Sequence, residues 1–191
     1  MITIDQANMQ IISTSCLNCQ DVYFKPPSGE IPKVGCCSYS PTFYLLQLAN
    51  MSKKEHSFDI KSILQHQAAR VEDYKVTVFA HVHEAYFKVS KKFLTQMEKD
   101  DLRHSYSICQ FFKEKKGCIL DPSFKNSVCR SFICTNIEES LHYDQQVVQA
   151  FINEIRTEEH GFQKYHEQVL KQKGINLREH SEEVIEYLKT I

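Results

Sequence analysis

Apolar residues recur every three or four positions from Ile60 to Met97. This spacing places apolar side chains along one face of an α-helix. Ser57 stands just before the run and has the side chain of an N-cap. The pattern therefore predicts helical structure over 58–100, as one extended helix or as two. The β-branched residues between positions 76 and 82 leave a β-strand there as the alternative.

The same spacing predicts three further helices. Pro41 precedes a short apolar run and suits the first turn of a helix over 41–52. Helical spacing returns over 137–173, where Gly174 provides a natural end. Acidic residues in the first turn and apolar residues three and four apart predict a last helix over 181–190. Together these elements predict a mainly α fold, with residues 1–191 forming a single domain.

The eight cysteines avoid these helical stripes and fall into two groups, in the segments 16–37 and 109–134. Prolines and glycines between positions 20 and 35 indicate that the first group lies on loops. Thiolates close together in sequence can turn back onto one metal at about 2.3 Å each, and they select zinc, copper(I) or iron–sulfur clusters. The sequence therefore predicts cysteine-rich loops gathered into a metal-binding cluster, whose pairing the spacing leaves open. The predicted ligands are Cys16, Cys19, Cys36, Cys37, Cys109, Cys118, Cys129 and Cys134.

Three motifs in this order resemble the signature of the YkgJ-like cysteine-cluster family, following an upstream C-x2-C and a C-C pair. They are Cys109-Gln-Phe-Phe, Gly117-Cys118-Ile119-Leu120 and Cys129-Arg130-Ser131-Phe132-Ile133-Cys134. The match covers about a quarter of the chain, and the helices carry none of it. The family is described as a zinc- or iron-chelating domain, so the resemblance implies metal chelation without implying a known reaction.

Several residues near the cysteines are candidates for supporting roles. Arg130 follows Cys129 directly, where a cation can offset the negative charge of a four-thiolate site, and an exposed surface arginine is the equal alternative. His104 and His142 are candidates for the nitrogen ligand of a three-cysteine, one-histidine zinc site. His81 and His83 diverge on the predicted helix, which favours ordinary side chains over ligands.

Composition and charge exclude several other classes of protein. The net charge of −1 and the pI near 6.7 argue against a nucleic-acid partner. No apolar run approaches the roughly 18 residues of a membrane span, and no secretory signal is present. We therefore expect no membrane partner and a cytoplasmic protein with reduced thiols. Phosphate-cradle, dinucleotide-binding and nucleophile-elbow motifs are also missing from the sequence.

The sequence thus predicts a metal-binding protein that holds zinc or an iron–sulfur cluster, and it leaves open whether the protein is an enzyme. One alternative is an iron–sulfur redox or group-transfer enzyme, because flagellin lysine N-methylases contain a similar cysteine cluster. It requires an open coordination position. Another alternative is a zinc-stabilised interaction module that docks a protein partner on the 58–100 helix. An exposed apolar patch on that helix favours this last interpretation.

Overall fold

The computed structural model describes residues 2–13, 24–53, 60–141 and 144–191. Of these residues 49% are helical and 16% lie in strands, and the strands form several small sheets. The prediction of a mainly α fold is therefore wrong, because the protein is mixed α/β. The described chain divides into two compact units. Unit 1 is formed by the described residues of Met1–Thr14, Pro41–Val78 and Asp121–Ile191, and unit 2 by those of Ser15–Ser40 and Phe79–Leu120.

The elements are numbered along the chain. The strands are β1 (Ile2–Asp5), β2 (Gln10–Ser13), β3 (Thr42–Tyr44), β4 (Ala69–Glu72), β5 (Lys75–Val78), β6 (His81–Val82), β7 (Ser107–Ile108), β8 (Phe112–Lys113) and β9 (Gly117–Cys118). The helices are α1 (Leu45–Lys53), α2 (Ile60–Leu64), α3 (Ala85–Lys88), α4 (Gln96–Ser105), α5 (Ser127–Ser131), α6 (Thr135–Glu139), α7 (Gln145–Lys173) and α8 (Ser181–Lys189). Short 3-10 helices occupy Gly35–Ser38 and Pro122–Phe124.

The sheets of unit 1 are antiparallel. β1 and β2 form a hairpin in which Ile2 lies opposite Ser13. The second sheet has the order β3-β5-β4, so β5 lies in the middle. Val76 and Val78 on β5 are fully buried. A central strand buried in this way needs the β-branched side chains that pack well on a pleated surface.

The core of unit 1 forms around α7. Its buried residues recur at helical spacing along one face, from Val148 through Ile155 to Leu170. Helix α1 packs against both α7 and α8. At the end of α7, Gly174 adopts a φ of 70°, a left-handed conformation that glycine accepts without steric cost. The predicted end of this helix at Gly174 is confirmed.

Unit 2 has a smaller core of its own. Ile31, Ala85 and Tyr106 are buried together, and the partly buried side chains of Val82, Tyr86, Val89 and Leu102 pack against them. β6 pairs with β7, and β8 pairs with β9, in two short antiparallel ladders. Helix α4 begins with a capping box, in which the Thr95 hydroxyl accepts from the Glu98 N–H and the Glu98 carboxylate accepts from the Thr95 N–H.

The predicted helix over 58–100 is largely wrong. Positions 58 and 59 lie outside the described residues, and the rest contains α2, β4, β5, β6, α3 and the start of α4. The strand alternative for positions 76–82 is the one that the structure adopts in β5 and β6. Asp73 and Tyr74 connect β4 to β5, so the apolar residues of this stretch serve two strands of one hairpin. No helix in the described parts of the chain is long and apolar enough to cross a bilayer.

Candidate functional site

The predicted cysteine ligands are divided between the two units. Cys36, Cys37, Cys109 and Cys118 belong to unit 2, and we call them the four-thiol site. Cys129 and Cys134 belong to unit 1, on and just after α5. Cys16 and Cys19 lie outside the described residues. The four-thiol site is thus the largest group of predicted ligands within one described unit.

A tight turn presents the first two thiols of this site. Gly35 opens the 3-10 helix Gly35–Ser38 with a φ of 57°, a value that favours glycine. The Cys37 N–H donates to the carbonyl of Val34 at 3.1 Å, which closes the turn. Cys36 is exposed and Cys37 is half-buried. The two consecutive cysteines therefore project from one compact turn at the surface of the unit.

Backbone hydrogen bonds bring the other two cysteines to this turn. The Cys109 N–H donates to the Cys37 carbonyl at 2.8 Å, which ties the segment after β7 to the 3-10 helix. The Cys109 carbonyl in turn accepts from Phe112 at 3.0 Å at the start of the β8–β9 hairpin. Cys118 lies directly opposite Phe112 in that hairpin. Three separate chain segments thus deliver thiols to one region of unit 2.

The thiols interact electrostatically. The hydrogen bond with Cys37 is the main cause that raises the pKa of Cys36, followed by burial and by the charge of Cys37. Burial, with smaller contributions from the charges of Cys118 and Cys36, raises the pKa of Cys109 to about 11. These shifts mean that ionising one thiol opposes ionisation of its neighbours. In the absence of a cation, Cys36 and Cys109 are held as neutral thiols at neutral pH.

The histidine candidates occupy different positions. His104, in the last turn of α4, has its Nε2 atom 3.0 Å from the hydroxyl oxygen of Ser38, the residue after Cys37. His142 lies outside the described residues. His81 is on strand β6 and His83 follows it, so this pair does not lie on the predicted helix. The Nδ1 atom of His83 accepts a hydrogen bond from the Ala85 N–H at 3.2 Å, which supports α3.

Arg130 is buried in unit 1, so the alternative of an exposed surface arginine is wrong. It is 6% exposed, and its Nη1 atom lies 3.6 Å from the Glu158 carboxylate. Its Nε and Nη2 atoms have no hydrogen-bond partner among the described residues. The predicted role of Arg130 beside a thiolate site stays a prediction.

Glu158 and Glu159 are neighbours on α7 and differ in exposure, because Glu158 faces solvent and Glu159 lies on the buried face of the helix. Glu159 is 5% exposed and accepts hydrogen bonds from Gln47 and Ser127. The sequence spacing indicates the burial of Glu159, because this residue falls four positions after the buried Ile155 on the apolar face of α7.

Across residues 2–13, 24–53, 60–141 and 144–191, no three His, Cys, Asp or Glu side chains are already arranged to hold a metal ion. The prediction of cysteine-rich loops gathered into a metal-binding cluster is therefore wrong for the described part of the chain. The six predicted cysteine ligands among the described residues are divided between the two units, four in unit 2 and two in unit 1.

No protein-family model, no curated protein and no solved structure matches this chain. The resemblance to the YkgJ-like family therefore rests on the quoted cysteine motifs alone, and it stays a prediction.

Proposed function

We propose that unit 2 binds a thiophilic metal, as zinc or an iron–sulfur cluster, through Cys36, Cys37, Cys109 and Cys118. The observation that supports this most directly is the 2.8 Å hydrogen bond from the Cys109 N–H to the Cys37 carbonyl. It fixes two cysteine-bearing segments against each other through the backbone. The side chains are then free to turn toward a common ion.

The donor set fits such a metal. These four cysteines are thiols without a disulfide. Four thiolates complete a closed zinc site, and the same number of cysteines holds an iron–sulfur cluster. Burial is the largest cause that raises the pKa of Cys109, and a bound cation would offset the smaller contribution from the charges of Cys118 and Cys36. Because no group of ligands is preformed among the described residues, the site forms as metal replaces the thiol protons.

We expect the bound metal to stabilise unit 2. The protein would in turn store the metal or deliver it. The core of this unit is small, and its buried apolar residues among those described are Ile31, Ala85, Tyr106, Phe111 and Leu120. A metal bound to Cys37 and Cys109 would cross-link segments that the core alone joins weakly, so binding free energy becomes folding free energy. Reduced thiols of this kind fit the cytoplasm, which we propose as the compartment.

The test is metal analysis of protein purified without oxygen, together with single serine variants. We expect about one metal site per chain in the wild type. Cys37→Ser and Cys109→Ser should lose most of the metal. Cys129→Ser is the matched control, since Cys129 is an exposed cysteine of unit 1, and it should retain the metal.

Three results would decide the matter. Iron, sulfide and absorption at roughly 400 nm would identify a cluster and favour the redox alternative. A colourless protein with zinc would favour a closed structural site. Metal-free protein, or metal lost equally from Cys129→Ser and Cys109→Ser, would refute the four-thiol assignment.

A further inference from the structure

Unit 2 exposes two phenylalanines in a short stretch of chain. Phe87, in the single turn of α3, is 71% exposed, and Phe93 is 90% exposed. Large apolar side chains exposed to this extent lose the stabilisation that burial would give. Two of them close together in sequence mark a surface that meets an apolar phase or a partner.

The structure holds these rings outward. The Lys91 ammonium donates to the carbonyls of Tyr86 at 2.8 Å and Val89 at 3.1 Å, and it lies 4.1 Å from the centre of the Tyr86 ring. The Leu94 N–H donates to the Lys91 carbonyl at 3.3 Å, which leaves Lys92 and Phe93 at the tip of a turn. Tyr86 and Val89 pack inward against the core of unit 2. The exposure of Phe93 is therefore a property of an anchored turn.

Basic residues flank the two phenylalanines in the chain. Lys88 directly follows Phe87, Lys92 directly precedes Phe93, and both lysines are exposed. The described residues of unit 2 contain ten Lys and Arg against six Asp and Glu, whereas those of unit 1 contain twelve against fifteen. The near-neutral total charge hides this difference between the units. Basic residues beside protruding aromatic residues are complementary to an anionic interface.

We propose that Phe87, Lys88, Lys92 and Phe93, here called the Phe–Lys surface, bind the surface of an anionic lipid bilayer. The phenylalanine rings enter the headgroup layer, and the two ammonium groups lie among lipid phosphates. The expectation of no membrane partner rested on the absence of a spanning segment, and a surface contact requires none. Met97 is 74% exposed but is excluded, because Asp100 and Asp101 lie three and four residues further along the same helix face.

A lipid surface fits these side chains better than a protein or a nucleic acid does. Phe93 is 90% exposed at the tip of a turn, where the Lys92 ammonium lies 5.6 Å from the centre of its ring, and a soft headgroup layer can receive such a ring without a complementary pocket. A nucleic-acid platform instead needs rings laid flat along a basic groove, so that successive bases stack on them. The proposed lipid surface uses none of the residues of the four-thiol site.

A single-tryptophan reporter tests the proposal directly, because the chain contains no tryptophan. Phe93→Trp should show a blue-shifted emission with vesicles of phosphatidylcholine and phosphatidylserine, and no shift with phosphatidylcholine alone. High salt should reverse the shift, since screening weakens the lysine contribution. Val147→Trp, at a 60% exposed position of α7 in unit 1, is the matched control and should show no shift.

Vesicle co-sedimentation gives the second measurement. The double variant Phe87→Ser/Phe93→Ser should bind anionic vesicles at least about tenfold more weakly than the wild type, and Lys92→Glu should also weaken binding. Val147→Ser, at an exposed position of unit 1, should bind as the wild type does. No emission shift, or equal binding by the double variant, would overturn the proposal. Binding to a single-stranded oligonucleotide that the double variant loses, without vesicle binding, would replace lipid by nucleic acid.

Discussion

The hydroxyl of Ser127 donates a 2.6 Å hydrogen bond to the carboxylate of Glu159 in the interior of unit 1. The Ser127 N–H donates to the same carboxylate at 2.8 Å, and the Gln47 side-chain amide donates at 2.7 Å. A carboxylate on α7 thereby joins α1 and α5. Buried polar groups at this density stabilise a fold only while every member keeps its partner.

Replacing this carboxylate should destabilise unit 1 clearly. In Glu159→Gln the side chain carries an amide group that donates, so it faces the donors of Gln47 and Ser127 and cannot accept from all of them. We expect the free energy of unfolding to fall by about 2–3 kcal/mol, measured by urea denaturation. Glu154→Gln, at an exposed position of the same helix, is the control and should change it by less than about 0.5 kcal/mol. Equal effects of the two substitutions would contradict this account.

The pair formed by Arg130 and Glu158 should respond asymmetrically to substitution. Arg130→Met removes a buried cation whose Nε and Nη2 atoms lack partners among the described residues, so stability should stay constant or rise by about 1 kcal/mol. Glu158→Gln leaves the guanidinium buried without its carboxylate and should lower stability by about 1 kcal/mol. Thermal denaturation of the two variants is the measurement. The reverse order of stability would show that Arg130 has a favourable partner.

The pH dependence of unit 1 should include a contribution from His166. Burial, and secondly the charge of Lys53, lowers the pKa of this imidazole below its ordinary 6.5, while its Nδ1 atom lies 2.6 Å from the Tyr187 hydroxyl oxygen. Between the folded and unfolded pKa values the unfolded chain binds more protons. The free energy of unfolding should therefore fall as the pH drops below about 6.5.

The measurement for His166 is urea denaturation at roughly pH 8 and pH 5. His166→Gln should reduce the loss of stability between the two. His160→Gln, which removes an exposed histidine of the same helix, should leave that loss unchanged. If His166→Gln loses as much stability between the two pH values as the wild type does, the pH dependence arises from other residues.

The thiol of Cys109 should react slowly in the metal-free protein. Burial is the first cause that raises its pKa from 9.0 to about 11, so its thiolate fraction at mildly alkaline pH is lower by about a hundredfold. Iodoacetamide should therefore modify Cys109 far more slowly than a free cysteine at pH 8, and the gap should close as the pH approaches about 11. Mass spectrometry of the alkylated peptides measures this. Rapid alkylation at pH 8 would contradict the assigned environment.

The long helix α7 could be predicted from the sequence, because its buried residues recur at a fixed spacing within one continuous segment. The stripe from Val148 to Leu170 and the glycine at position 174 together specify α7 and its end. The β4–β5 hairpin could not be predicted from the spacing of its apolar residues. Val71 and Val78 also fit helical spacing, and only their β-branched neighbours and the pairing with β3 select strands.

The candidate site was predictable in composition and not in arrangement. The cysteine motifs identified thiol chemistry, but the assignment of Cys37 and Cys109 to one region depends on a hydrogen bond between residues distant in sequence. Phe93 illustrates the opposite error. Its place in the apolar spacing predicted a buried helix face, whereas a turn anchored by Lys91 leaves it 90% exposed.

The interleaving of the two units has a consequence for folding during synthesis. All described residues of unit 2 precede Asp121, whereas unit 1 needs α7 and α8 from the last part of the chain. As the chain leaves the ribosome, the segments of unit 2 are therefore complete while unit 1 still lacks the helices against which α1 packs. Domains generally fold as their sequence emerges. The nascent chain should thus form unit 2 first, with the early strands and α1 of unit 1 waiting for the C-terminal helices.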